Sequence, residues 1–264
     1  MLPTLGLAEQ LELRSVDGRI EAGGAPFVFK GLVWWGAEAD AGVPGGLDRR
    51  SLDDLLGLAS GLGFNAIKLP FLHQHVLFDG PVSGEDFDQT LNPFLVGPSG
   101  RPVSYVEMLR IVARRAAHHG LLVWLVADSV KDLWYSRSIA EETVCSVLHV
   151  PICGHSSSRV RAPTSLWQVL DSWTTLTHRL CSQRNLVGVD LFNKPIGATW
   201  GRGLPTDWDV AAARLGNHIN TRCPRWLIGV EGVAEEVGGE AAAALDPMDL
   251  FAKFYPESQD GECS

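Results

Sequence analysis

The chain has 264 residues, 45% of them hydrophobic and 20% charged, which is enough apolar material for one large core. A net charge of −9 gives no electrostatic footprint for nucleic acid or for an anionic membrane surface. The longest apolar runs, such as GLLVWLVA, fall well short of the roughly 20 residues a spanning helix needs, and the N-terminal stretch lacks the basic, apolar and small-residue order of a secretory leader.

In chain order, polar and Gly-broken residues over about 10–25 predict a small hairpin. FVFKGLVWW (27–35) reads as the first buried strand, and LDRRSLDDLLGLASGLG (47–63) as a helix stopped by glycine. FNAIKLPF (64–71) is the second strand. A long loop rich in Gly, Pro and Asp is expected from His73 to about Gly100. VSYVEMLRIVARRAAHHG (103–120) has the spacing of an amphipathic helix ended by Gly120, and LLVWLVAD (121–128) is the third strand. Residues 130–165 read as irregular. A helix over 165–183, a strand over 185–193, a helix over 207–224 and a fifth strand over 225–232 follow. Short, nearly all-apolar strands alternating with helices predict a parallel sheet covered on both faces. Five βα units fit either a doubly wound sheet or part of a (β/α)8 barrel. With no linker in evidence, 1–264 is read as a single α/β domain with an irregular tail over about 246–264.

Several motifs point to chemistry. GLGFNA (61–66) matches a dinucleotide-binding pattern, but its glycines close a helix and enter a strand, the reverse of the arrangement that cradles a pyrophosphate, so no cofactor is expected. Cys145, His149, Cys153 and His155 are legal zinc ligands, but their spacing is unlike the usual fingers and the neighbouring Val, Leu and Ile suggest plain packing; a Cys145–Cys153 disulfide is another option. The five cysteines are an odd number with no framework spacing, so at least one thiol is free or pairs with another chain. His73 and His75 alternate along a segment expected to be extended, just past the second strand, where such folds place active-site loops; two solvated loop histidines are the equal alternative. Glu38, Asp128 and Glu231 are acids at successive strand ends, which meet at one mouth in a parallel barrel, or else cap and fix loops. Trp34, Trp35, Trp134 and Trp200 also fall just past strand ends, and aromatic faces of this kind stack on sugar rings.

On these residues the chain resembles glycoside hydrolase family 5, the cellulase-type (β/α)8 barrels. FKGLVWWGAE is similar to the family's first-strand motif, GFNAIKLPF to its second, GLLVWLVADS to its third, and NLVGVDLFNKPIGATWG to its fourth, whose hallmark is Asn-Glu-Pro. The resemblance implies a partner that is a β-linked oligo- or polysaccharide, and retaining hydrolysis by two carboxyl groups. It implies that Asn193 holds the sugar's 2-hydroxyl and that Lys194 occupies the acid/base position where the family has Glu. Trp34, Trp35, Glu38, Lys68, His73, Asp128, Trp134, Trp200 and Glu231 are the candidate substrate contacts, with Lys68 at a position usually held by Arg. The family's nucleophile follows a seventh strand, so only about five of eight βα units are expected here, with a missing C-terminal half as a possible partner. These departures imply a catalytically defective member. A non-catalytic carbohydrate binder with a Trp-lined mouth is the alternative. The family is often extracellular, whereas the sequence assigns no compartment.

Overall fold

The computed structural model describes residues 11–128, 166–195, 198–204 and 207–233. Two sheets organise them. The first is an antiparallel sheet of β1 (Leu13–Val16), β2 (Arg19–Ala22) and β3 (Ala25–Pro26). The turn after Val16 needs left-handed backbone, supplied by Asp17 at φ 48° and Gly18 at φ 75°. The second sheet is parallel throughout, in the order β4 (Gly31–Val33), β5 (Ala66–Phe71), β6 (Leu122–Ala127), β7 (Leu186–Asp190) and β8 (Leu227–Gly229). Spatial order follows chain order, as in successive βα units of a barrel.

Helices cover the outer face. In α1 (Leu52–Gly61), the Ser51 hydroxyl accepts the Asp54 N–H at 3.0 Å, and acids occupy the first turn, where they complement the helix dipole. α3 (Tyr105–His118) buries Val106, Leu109, Val112, Ala113 and Ala116 at helical spacing, and Gly120 at φ 70° follows its end. α4 (Leu166–Leu180) and α5 (Trp208–Asn220) bury Trp173 and Leu176, and Trp208 and Leu215, in the same way. The inner face is closed at its lower end by the hairpin. Leu13 and Ile20 pack there against Ala66, Leu122, Val187 and Leu227. Above them the Trp124 indole meets Phe29 edge-on at 5.7 Å and lies across Gly188 and Gly229. A Cβ at position 188 would sit 2.3 Å from Trp124, so this glycine is where the indole fits.

Two expectations are corrected, and one pairing is new. The first strand of the parallel sheet is confined to Gly31–Val33. Residues 27–30 are instead bound to the hairpin and to Asn65: Phe27 N donates to Ile20 O, and Asn65 clasps Lys30 N at 2.7 Å and Val28 O at 2.9 Å. The segment expected as one loop from 73 to 100 contains a short helix, α2 (His73–Phe78), and a 3-10 turn at Pro93–Leu95. It is pinned by fully buried Asn92, which accepts from Leu52 N and donates to Leu47 O and Arg50 O. Finally, Cys181 and Cys223, which no spacing paired, form a disulfide with Cα atoms 5.8 Å apart. It ties the end of α4 to the residue three past α5. Cys145, His149, Cys153 and His155 lie outside the described residues, as do Trp134 and the segments 130–165 and 246–264. No described helix is long and apolar enough to cross a membrane.

Candidate active site at the strand ends

Residues of β5, β7 and β8 form a connected polar set toward the carboxyl ends of the parallel strands. Its centre is Lys68, on the lumen face of β5. The ammonium lies 2.9 Å from Asp190 Oδ2 and 3.0 Å from Glu231 Oε1. Asp190 ends β7 with a side chain 7% exposed, and Glu231, at 12%, follows β8. The other Glu231 oxygen accepts the main-chain N–H of Lys194 at 2.8 Å, and its carbonyl accepts the Trp208 indole N–H at 3.0 Å. One residue thus joins β5, the β7 loop and α5.

Burial decides the protonation of this set. It pushes Asp190 up to about 8, beyond what the nearby Lys68 charge offsets, and the Glu231 charge and hydrogen bond push the same way. Burial also works to raise Glu231, but the hydrogen bond from Asp190, the Lys68 charge and the Lys194 N–H outweigh it and leave Glu231 below its usual range. The proton therefore sits on Asp190 and is donated to ionised Glu231. Desolvation works to lower Lys68, yet its two carboxylate neighbours raise it, so it stays charged. At neutral pH the cluster is one cation, one anion and one neutral acid.

A second set lies alongside. The Asn193 amide donates to Asp128 Oδ2 at 2.8 Å, linking the ends of β7 and β6. Asn193 is also anchored by its own N–H, which donates to Ala127 O at 2.9 Å. Glu38 is 6% exposed and its Oε2 accepts the Gly36 N–H at 2.8 Å. Burial raises its pKa, the loop hydrogen bonds oppose that, and the Asp128 charge adds to the rise. Lys194 adopts left-handed backbone at φ 56°, and its side chain is exposed. No ion pair to its ammonium forms among the described residues. Neither do those residues bring together three or more metal-binding side chains.

The strand ends thus bring together Lys68, Glu231 and Lys194 in one set and Asp128 and Asn193 in the other, with Glu38 within electrostatic reach of Asp128. Trp34 is held by its indole N–H, which donates to Gly45 O at 2.9 Å, whereas Trp35 and Trp200 are about half exposed. His73 is placed elsewhere. It begins α2, 3% exposed, with Nδ1 2.8 Å from the Ser172 hydroxyl and its ring edge-on to Phe71 and Trp173. Burial drives its pKa down to about 3, so it is a neutral part of the helix-facing core. The extended alternation read for His73 and His75 is replaced by a helical turn. Asp190 was missed; its signal was a lone carboxylate within the apolar run LVGVDLF.

No family model matches the chain. It is 31% identical over 227 residues to an endoglucanase of Paenibacillus polymyxa, spanning 83% of this chain and 49% of the relative. It is 27% identical over 223 residues to the major extracellular endoglucanase of Xanthomonas campestris, spanning 82% of this chain and 40% of that one. The chain thus spans about half the length, or less, of these curated relatives. Among solved structures, a point variant of the Pyrococcus horikoshii endocellulase in complex with cellotetraose aligns with TM-score 0.67 and 26% identity, covering 86% of this chain and 59% of that one. The catalytic domain of the Xanthomonas campestris endoglucanase aligns at 0.63 and 26%, covering 89% and 59%. The chain is homologous to these endoglucanases, and its described residues form part of the same (β/α)8-type fold.

Proposed function

We propose that this chain is a glycoside hydrolase-type protein directed at β-glucans, whose barrel mouth holds a β-linked saccharide and, with Lys194 in the place of the catalytic acid, does not cleave it. The observation that carries this reading is the setting of Lys194. It directly follows Asn193 at the end of β7, its main chain is tied to Glu231, and its side chain is exposed. Retaining cleavage needs a protonated acid at the leaving oxygen and an ionised nucleophile about 5–5.5 Å from it. In the resemblance to the cellulase-type family, the residue after Asn193 is that acid. An ammonium there opposes the positive charge that develops on the sugar ring, and it lacks the geometry of a carboxyl group. Asp190 and Glu231 are engaged with Lys68 and with each other, which leaves neither free to attack.

Binding does not need those groups. Exposed Trp35 and Trp200 offer stacking faces, and Asn193 and Asp128 offer hydrogen-bonding groups for hydroxyls. Calorimetric titration with cellohexaose, alongside release of nitrophenol from an aryl β-cellobioside, tests both halves of the reading. Saturable binding without turnover is expected. Turnover by the unaltered chain that survives purification and is lost in Asn193→Ala would overturn it.

A further inference from the structure

Trp200 is carried by the connection from β7 to α5, and its side chain is 46% exposed. A half-exposed indole on a loop binds well only when the loop is held in its binding shape beforehand. We infer that Asp207 is the positioning residue for this platform: its carboxylate holds the loop around Trp200 in the shape that a β-glucan chain meets. This inference rests on the proposed function above, in which Trp200 offers a stacking face.

Three observations carry it. First, the loop wraps the carboxylate. The Thr199 hydroxyl donates to Asp207 Oδ1 at 2.6 Å, and the main-chain N–H groups of Arg202 and Leu204 donate to Oδ2 at 2.9 and 3.0 Å. Gly203 lies between those two residues at φ 70°, a left-handed turn that suits glycine. Main-chain bonds close the ring: Trp208 N donates to Thr199 O at 2.7 Å, and Asp207 N to Leu204 O at 3.0 Å. On the other side of Trp200, Gly201 N donates to Asp209 Oδ1 at 3.0 Å. Both chain neighbours of Trp200 are thereby tied to the start of α5. Second, the carboxylate is not spent on its own helix. Asp207 stands at the N-cap of α5, where an Asp side chain ordinarily accepts from the first-turn N–H groups, yet it makes no such bond. Ser51 at the start of α1 does make one. Third, the clamp stands on a fixed base. Asp207 is buried, and the adjoining buried Trp208 donates its indole N–H to Glu231 O at 3.0 Å. The Thr199 hydroxyl and the loop N–H groups hold the Asp207 carboxyl below the usual carboxylate range, against the opposing effect of burial. It is therefore ionised at neutral pH, the state in which it accepts hydrogen bonds most strongly.

The test turns on Asp207→Ser. Serine caps a helix about as well as aspartate, but it lacks the second oxygen that takes the Arg202 and Leu204 N–H groups. The full chain is compared with this variant, Trp200→Ala and the double variant by calorimetric titration with cellohexaose, with melting temperature as the control for folding. In parallel the proteins are labelled with 5-fluorotryptophan, and the Trp200 fluorine resonance is assigned by its loss in Trp200→Ala. The expected result is a melting temperature close to wild type and about a tenfold loss of affinity in Asp207→Ser, with no further loss in the double variant beyond Trp200→Ala. The Trp200 resonance should shift or broaden in Asp207→Ser. Should that variant fold poorly, Thr199→Val removes one arm of the clamp alone and must move the same resonance and weaken binding in the same direction. Wild-type affinity in Asp207→Ser, or an unmoved Trp200 resonance, overturns the positioning role. So does an additive loss in the double variant, which would mean that Asp207 acts elsewhere. Absence of cellohexaose binding to wild type, with the resonance still moved by Asp207→Ser, overturns the proposed function and leaves Asp207 as the residue that places Trp200.

Discussion

Replacing Lys68 with methionine keeps most of the side-chain volume and removes the cation that Asp190 and Glu231 share. Both carboxyl groups lie deep at the strand ends, with side chains 7% and 12% exposed. Removing one partner of a buried pair costs about 3–5 kcal/mol, because the remaining charge stays desolvated. The Lys68 side chain is 28% exposed, so water can partly take its place, and the low end, about 3 kcal/mol, is expected. For a chain of this size that is a fall of roughly 6–12 °C in melting temperature. The loss carries a pH signature. Without the cation, both carboxyl groups titrate above their unfolded values. An acid with a raised folded pKa costs stability above its unfolded pKa, and that cost shrinks as pH falls below the folded value and is gone at the unfolded one. Urea unfolding followed by tryptophan fluorescence should show the full loss at pH 8 and a clearly smaller one at pH 5. A loss below about 1 kcal/mol at pH 8, or an equal loss at both pH values, would refute the account of Lys68 as the charge that holds the two acids.

The unaltered protein should itself show opposing titrations. Asp190, raised to about 8, binds a proton in the folded state that the unfolded chain lacks, so stability falls as pH rises toward 8. His73, lowered to about 3, does the reverse below its unfolded pKa of 6.5, so the two nearly cancel between about pH 4 and 6.5. Above that window Asp190 acts alone, and stability should drop by about 2 kcal/mol from pH 6.5 to 8. Denaturant titrations should show that drop, and Asp190→Asn should abolish it. Reducing the Cys181–Cys223 disulfide should lower stability by roughly 2–4 kcal/mol, since it closes a loop with a sequence separation of 42; an unchanged melting temperature under reducing agent would contradict this. Gly188→Ala should cost about 1–3 kcal/mol by forcing Trp124 off its seat. A quenched or shifted indole emission would accompany the loss.

The order of strands and helices was legible because the signals are local. Each βα unit carries its own apolar run and its own helical spacing, and a parallel sheet follows from their alternation. Acids at strand ends were legible for the same reason. What was not legible depended on partners distant in sequence. The strand expected over 27–35 was cut short by Asn65, and the loop expected over 73–100 was partly ordered by Asn92 bonding back to residues 47–52. His73 looked like a loop residue because nothing near it reveals Ser172 on α4. The Cys181–Cys223 pair bridges two helices that no spacing rule connects. Asp190 could have been flagged. A carboxylate within an otherwise apolar strand must be protonated or paired, and here both are true.

Stability and chemistry separate cleanly at the mouth. The Lys68, Asp190 and Glu231 set carries no net charge at pH 7, with its cation and anion paired, and it needs nothing from Lys194 but a main-chain N–H. Any residue other than proline supplies that group. The Lys194 side chain, exposed and outside any ion pair among the described residues, can therefore vary without disturbing the set among residues that tolerate its left-handed backbone. Lys194→Glu should change stability by no more than about 0.5 kcal/mol, as exposed substitutions generally do, while changing the charge of the mouth by two units. Thermal unfolding and saccharide titration of this one variant separate the two roles. A large loss of stability would mean that the ammonium itself, rather than the N–H beside it, helps to hold Glu231 in place.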